Sequence, residues 1–271
     1  MNRIDKMLER LRASNKKMLS PYLTAGDPHP DMTVPLMHEL VAAGADTLEI
    51  GIPFSDPMVE GPVIQASMER ALAYGINCDD VFSRVEKFRE RDQLTPIVLM
   101  GYMNPVEVYG YENFAKRASQ VGVDGTILVD LPPEESEIMA KLWDTYGLYS
   151  IYLCSPATAD ERMPLIDRYA KGYLYYASLE EVIGSHDFDP LTMKELYQHR
   201  KSQTALPLMV EAGTAPMAAE VAAFADGVIV DAALVSRIFD SYTSSGNASA
   251  AGAFLIRDMR YAMDNNGKNH D

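Results

Sequence analysis

The sequence predicts a (β/α)8 barrel preceded by an extra N-terminal helix. Short apolar runs rich in Val, Ile, Leu and Tyr recur through the 271 residues, each followed by a helix-length amphipathic stretch. Near-continuous apolar strands alternating with helices belong to a parallel sheet covered by those helices. Several strands are approached alike, through a helix-ending Gly or Ala and then Asp, as in AGADTLEI, VGVDGTIL and FADGVIV; one βα unit is repeated. Eight such units over about 230 residues suit a closed barrel better than an open sheet. No GxGxxG follows the first run, which argues against a dinucleotide-binding fold.

In chain order, MNRIDKMLERLRASNKK places Ile4, Met7, Leu8 and Leu11 on one face and predicts a helix over residues 2 to 14. It lacks the continuous apolar stretch of a signal peptide, so it reads as the leading helix of a cytoplasmic protein. The strands follow as MLSPYLTA, DTLEIGI, PIVLMGY, DGTILVD, YSIYLC, GYLYYAS, LPLMVEA and DGVIVDA. Two connections are unusually long, residues 53 to 62 after the second run and 178 to 191 after the sixth; in this fold such loops at strand C-terminal ends mark the active face. The polar tail NNGKNHD reads as frayed. The expected organisation is one barrel domain over residues 1–265 and a disordered tail over 266–271.

Composition narrows the function. Lys and Arg number 24 against 39 Asp and Glu, a formal charge of -15, and no basic cluster compensates locally, so nucleic acid is excluded as a partner. No stretch approaches the roughly 20 apolar residues of a membrane helix. Cys78 and Cys154 lack CxxC spacing and read as ordinary apolar residues of a reducing compartment. The histidines, His29, His38, His186, His199 and His270, show no HExxH spacing and read as solvated side chains. No metal site is expected.

Glu49 closes an apolar run, and alternation sets it opposite Leu48 and Ile50; it points either into the barrel mouth or into the helical layer. A carboxylate desolvated there has a raised pKa, suited to donating and accepting a proton near neutrality; pairing with a rim Lys or Arg is the plainer alternative. In IPFSDPMVEGP, Pro53, Pro57 and Pro62 restrict φ and Gly61 allows a turn, so Glu60 is presented in a defined position. Glu60 could instead serve the N-terminus of the helix beginning near Pro62, and Asp56 could simply form a turn.

Six ordered segments, PYLTAGDP, LEIGIPFSDPMVEGPVIQ, PIVLMGYMNPVEVYG, VDGTILVDLPPEE, SPATADER and DGVIVDAAL, together resemble the tryptophan synthase alpha subunit family over about residues 2 to 240. The resemblance implies a barrel that cleaves indole-3-glycerol phosphate to indole and glyceraldehyde 3-phosphate without a cofactor. It also implies a beta subunit that receives the indole through a tunnel, in an alpha2beta2 assembly. Glu49 takes the role of the acid/base that protonates the indole ring carbon and accepts the glycerol hydroxyl proton. Glu60 stands where the family has an aspartate that stabilises positive charge on the indole N–H. Tyr22, Met100, Ile127, Val129, Leu153 and Tyr175 fall on the indole-pocket positions, and Gly184, Gly213 and Ala232 on the substrate's phosphate side. Asp56, Pro57, Met103, Asn104, Asp130 and Pro132 fall on docking positions for the beta subunit.

The chain departs from the family in the turns that hold the phosphate. Glu181 and Ile183 replace a glycine and a threonine after the sixth strand, Glu211 and Ala212 a glycine and a phenylalanine after the seventh, and Asp231 a glycine after the eighth. A carboxylate about 5 Å from a phosphate dianion, at an effective dielectric near 20, is repelled by roughly 6 kcal/mol. Alternatives to the phosphate-dependent lyase are therefore a paralogue acting on a non-phosphorylated substrate and a non-catalytic activator of a beta subunit.

Overall fold

Asn2 starts the first helix, α1 (Arg3–Ala13): its side chain accepts the Ile4 N–H, and Asp5 accepts the Asn2 N–H in return, a capping box. The computed structural model describes residues 1–177, 190–244 and 246–265; the tail 266–271, the expected site of disorder, lies outside them. The apolar runs form β1 (Met18–Thr24), β2 (Leu48–Gly51), β3 (Ile97–Gly101), β4 (Gly125–Leu128), β5 (Tyr149–Cys154), β6 (Leu174–Tyr176), β7 (Leu208–Glu211) and β8 (Gly227–Val230). They pair in parallel in chain order, and β8 returns to β1 with Ser20 opposite Ile229, closing the barrel. All eight expected strands are present.

The outer layer consists of α2 (Thr33–Ala42), α3 (Pro62–Ala73), α4 (Cys78–Arg89), α5 (Met103–Tyr109), α6 (Tyr111–Val121), α7 (Glu137–Tyr146), α8 (Met163–Tyr169), α9 (Pro190–Lys201), α10 (Ala215–Ala222), α11 (Ala232–Ser244) and α12 (Ala248–Asn265). Strand alternation divides the core in two. Leu19, Leu23, Leu48, Ile50, Ile97 and Leu99 face the helices. Met18, Tyr22, Val98, Met100, Ile127, Ile151, Tyr173, Tyr175, Met209 and Ile229 form the inner cluster. Ile4, Met7 and Leu11 of α1 join that inner cluster, so the leading helix closes the end of the barrel opposite the strand C-termini.

The repeated aspartate before a strand now has a physical role. Asp46 accepts the Leu19 N–H of β1 at 3.1 Å, Asp124 the Ile97 N–H of β3 at 2.9 Å, and Asp226 the Leu208 N–H of β7 at 3.0 Å. In each case the aspartate leading into one strand satisfies the first or second amide of its neighbour, and a cation balances it: Arg260 and Arg10 at Asp46, Arg89 and Arg3 at Asp124, Lys201 at Asp226. An orphan amide at the barrel rim would cost about 1–3 kcal/mol.

One expectation is corrected. His38 is not a solvated side chain: its ring stacks on Phe88 with centroids 4.6 Å apart, and burial lowers its pKa. Cys78 and Cys154 are buried and free. Among the described residues no helix is long and apolar enough to cross a membrane.

Candidate active site

Glu49 points into the barrel. It is fully buried, and Ser20 Oγ and Tyr173 Oη each donate to its Oε1 at 2.8 Å. Among the described residues no lysine or arginine pairs with it, and its partners are hydroxyls in the barrel interior rather than a rim cation. Burial pushes its carboxyl up to about 7; the Tyr173 and Ser20 hydrogen bonds oppose this, and the charge of Asp231 adds to it. Glu49 therefore sits where both protonation states are accessible near neutrality.

Glu60 reaches the same place from the loop between β2 and α3. Pro62 begins α3 and Gly61 is its N-cap, so Glu60 lies just before the helix, yet its carboxylate faces the mouth of the barrel. Its Oε1 lies 3.5 Å from the Tyr102 hydroxyl, which also approaches the Val59 N–H at 3.4 Å. Phe54 packs on the Tyr102 ring at 5.2 Å. Tyr102, directly after β3, thus holds both ends of the proline-stiffened loop. Burial, and then the charge of Glu60, raises the Tyr102 pKa.

Tyr22, Glu49, Glu60, Ile64, Met100, Tyr175 and Asp231 line one small pocket at the strand C-terminal ends. Tyr22, Met100, Ile127 and Tyr175 belong to the inner apolar cluster, with Val129, Leu153 and Ala232 packed against it. The residues nominated for an indole pocket therefore share one surface. Tyr22 is held by Thr24 at 3.2 Å, and Thr24 by Ser67 of α3 at 2.6 Å.

The turns after β7 and β8 divide. Asp231 faces inward: Tyr175 Oη donates to its Oδ2 at 3.3 Å, and its Oδ1 accepts the Ala232 N–H. It directly precedes α11, its carbonyl accepting the Val235 N–H at 2.9 Å. The carboxylate thus stands at a helix N-terminus, where a ligand anion is ordinarily received. Ala212 instead packs in the outer cluster, away from the cavity. Glu211 follows the inward Met209 by two positions, and Gly213 is half-buried beyond it. Glu181, Ile183 and Gly184 lie outside the described residues. Among those described, no group of three His, Cys, Asp or Glu side chains is arranged for a metal.

On another part of the rim, Asp130 accepts the Met103 N–H at 2.8 Å, joining the turns after β3 and β4. Asn104, Asp56 and Asp130 are exposed, and Pro57, Met103 and Pro132 are half-exposed.

Sequence reasoning missed Ser20, Tyr173 and Tyr102. Ser20 in β1 and Tyr173 just before β6 each precede a nominated residue, Tyr22 and Tyr175, by two positions, and so share its face; that spacing was the available signal. Tyr102 offers none, because its role depends on how the loop folds back.

The fold and site define a (β/α)8-barrel protein with two carboxylates converging on an apolar pocket at the catalytic end. The family model described as "Tryptophan synthase alpha chain" matches residues 8–264. A tryptophan synthase alpha chain of Legionella pneumophila (strain Lens) is 58% identical over 269 residues, covering 98% of this chain and 99% of the relative. One from Thioalkalivibrio sulfidiphilus is 46% identical over 266 residues, covering 97% and 100%. The crystal structure of tryptophan synthase subunit alpha from L. pneumophila str. Paris superposes with a TM-score of 0.93 at 56% identity, covering 98% of this chain and 99% of that one. A chain of Mycobacterium tuberculosis tryptophan synthase superposes at 0.85 with 29% identity, covering 97% and 98%. The protein belongs to the tryptophan synthase alpha chain family.

Proposed function

We propose that this chain is a carbon–carbon lyase of tryptophan biosynthesis that cleaves indole-3-glycerol phosphate to indole and glyceraldehyde 3-phosphate. The observation that carries the reading is Glu49: fully buried, held toward protonation near pH 7, and lining one pocket with Glu60. Glu49 gives its proton to the ring carbon that bears the glycerol chain. Glu60 stabilises the positive charge that develops on the indole nitrogen. Glu49, now a carboxylate, takes the hydroxyl proton of the chain as the carbon–carbon bond breaks and its electron pair returns to the ring. The aldehyde leaves, and Glu49 is again neutral. Tyr22, Met100, Ile127, Val129, Leu153 and Tyr175 supply apolar walls for a flat ring.

The phosphate is received beside Gly213 and Ala232, where α11 begins. Asp231 opposes it there, and its inward carboxylate makes phosphate binding weaker than bare helix amides would allow. Asp56, Pro57, Met103, Asn104, Asp130 and Pro132 form the docking rim for a beta subunit in an alpha2beta2 assembly. The nearby apolar side chains Met58, Val59, Val108 and Ile138, 63% to 83% exposed, support this. The chain acts as one cytoplasmic barrel domain over residues 1–265.

Incubating the protein with indole-3-glycerol phosphate, with and without a beta subunit, tests the reading. Indole is expected from the native chain and none from Glu49→Gln; no indole above the buffer rate from the native chain in either mixture would end it.

A further inference from the structure

Among the described residues, both hydrogen bonds that the Glu49 carboxyl group accepts fall on one oxygen. Ser20 Oγ and Tyr173 Oη donate to Oε1, each at 2.8 Å, while Oε2 is buried and has no partner among the described residues. Two donors already aimed at Oε1 leave no room for a proton on it, so the neutral acid carries its hydrogen on Oε2. Among the described residues the titratable groups facing Glu49 are Tyr22 from β1, Tyr173 just before β6, Tyr175 from β6, Glu60 from the β2–α3 loop and Asp231 after β8. Among the described residues no cation lines this pocket, and the donors they give the charged Glu49 carboxylate are these two hydroxyls.

We propose that Ser20 is a positioning residue for Glu49: by sharing Oε1 with Tyr173 it locks the carboxyl group and reserves Oε2 as the oxygen that releases and recovers the proton. The assignment rests on the lyase reading above. In that reaction the proton passes from Oε2 to the ring carbon, leaving a carboxylate in a desolvated site. The Ser20 and Tyr173 bonds, charge-assisted for that interval, hold it until Oε2 takes the hydroxyl proton. Ser20 is itself fully buried and lies below Tyr22 on β1, so it reaches no substrate atom and acts only through Glu49.

The test compares Ser20→Ala and Ser20→Thr with the native chain. The Glu49 carboxyl band, identified in infrared difference spectra against Glu49→Gln, is titrated in each. Removing a donor to the charged form is expected to move the midpoint upward by about one pH unit in Ser20→Ala, with Ser20→Thr close to native. In the lyase assay kcat falls about tenfold in the Ala variant, KM changes less than about twofold, and the pH profile moves with the infrared midpoint. Thermal unfolding checks the fold. Should Ser20→Ala not fold, Ser20→Cys, a weaker donor, is expected to show a smaller shift in the same direction. A native midpoint and native kcat in a folded Ala or Cys variant would overturn the proposal. A shifted midpoint in a protein that makes no indole would remove the lyase reading and uphold the control of Glu49 by Ser20.

Discussion

The Tyr22 hydroxyl lies directly over the bare Cα of Gly51: a Cβ added there would meet the oxygen at 1.9 Å and the ring carbon beneath it at 2.6 Å. The two residues are on paired strands, with Tyr22 opposite Glu49 in the register. The ring that walls the pocket therefore crosses β2 where no side chain stands. Thr24, itself bonded to Ser67, holds its hydroxyl, so the ring has little freedom to retreat.

Gly51→Ala is accordingly expected to push Tyr22 into the pocket, costing about 1–3 kcal/mol of stability as an overpacked core site. Indole release should fall by about tenfold or more through misplacement of the ring. Denaturant midpoints and the indole assay check this; native values for both would show that Tyr22 yields freely.

Protonation of Glu49 couples activity and stability to pH in the same direction. Its carboxyl is raised by burial from 4.5 to about 7, so the folded protein binds this proton more tightly than the unfolded chain. The resulting stability is full below about pH 4.5 and is lost as pH rises through about 7. A shift of this size corresponds to about 3 kcal/mol as an upper figure. Glu49→Gln should therefore gain stability over the native chain above pH 7 and flatten this part of the profile. For the native enzyme kcat/KM should fall above about pH 7, where the acid form is lost. Urea unfolding across pH and the pH–rate profile are the measurements; a kcat/KM that rises through this range would contradict the acid role.

At the opposite end of the barrel, Asp124 and Arg89 are both almost completely buried, 2% and 5% exposed, and 3.0 Å apart. Burial raises the carboxyl of Asp124 and pulls the guanidinium of Arg89 down to about 10, each despite the other. Desolvation thus outweighs the attraction, and the pair adds little net stability. Removing one partner is different, because it strands a buried charge. Asp124→Ala is expected to cost about 3–5 kcal/mol, and the double change Asp124→Ala with Arg89→Met less than the single one. A double-mutant cycle in urea decides the matter; a double variant weaker than Asp124→Ala would mean that the pair itself is strongly stabilising.

Asp231 bears on the substrate's tail. Replacing this inward carboxylate by glycine removes a like charge from the start of α11, so Asp231→Gly should lower KM for indole-3-glycerol phosphate by at least about tenfold, a small part of the full Coulomb repulsion. It should also strengthen inhibition by glycerol phosphate. An unchanged KM would place the phosphate away from Asp231.

Local chemistry in the chain was enough to determine the barrel. Eight apolar runs, the helical stripe of Ile4, Met7 and Leu11, and the aspartates at 46, 124 and 226 are each local signals that closure uses without alteration. The pairing of Glu49 with Glu60 was legible as well, since the proline-stiffened loop keeps them eleven positions apart in one segment. Tertiary structure decided which way the side chains face. A period of two separates the faces of a strand but does not say which is inner, so Glu49 and Asp231 could be placed in the cavity, and Ala212 in the outer layer, only once the barrel closed. Closure also brings Tyr173 to Glu49 across 124 positions. No propensity encodes such contacts, because they arise from the strand register and barrel curvature, which the whole sheet sets together.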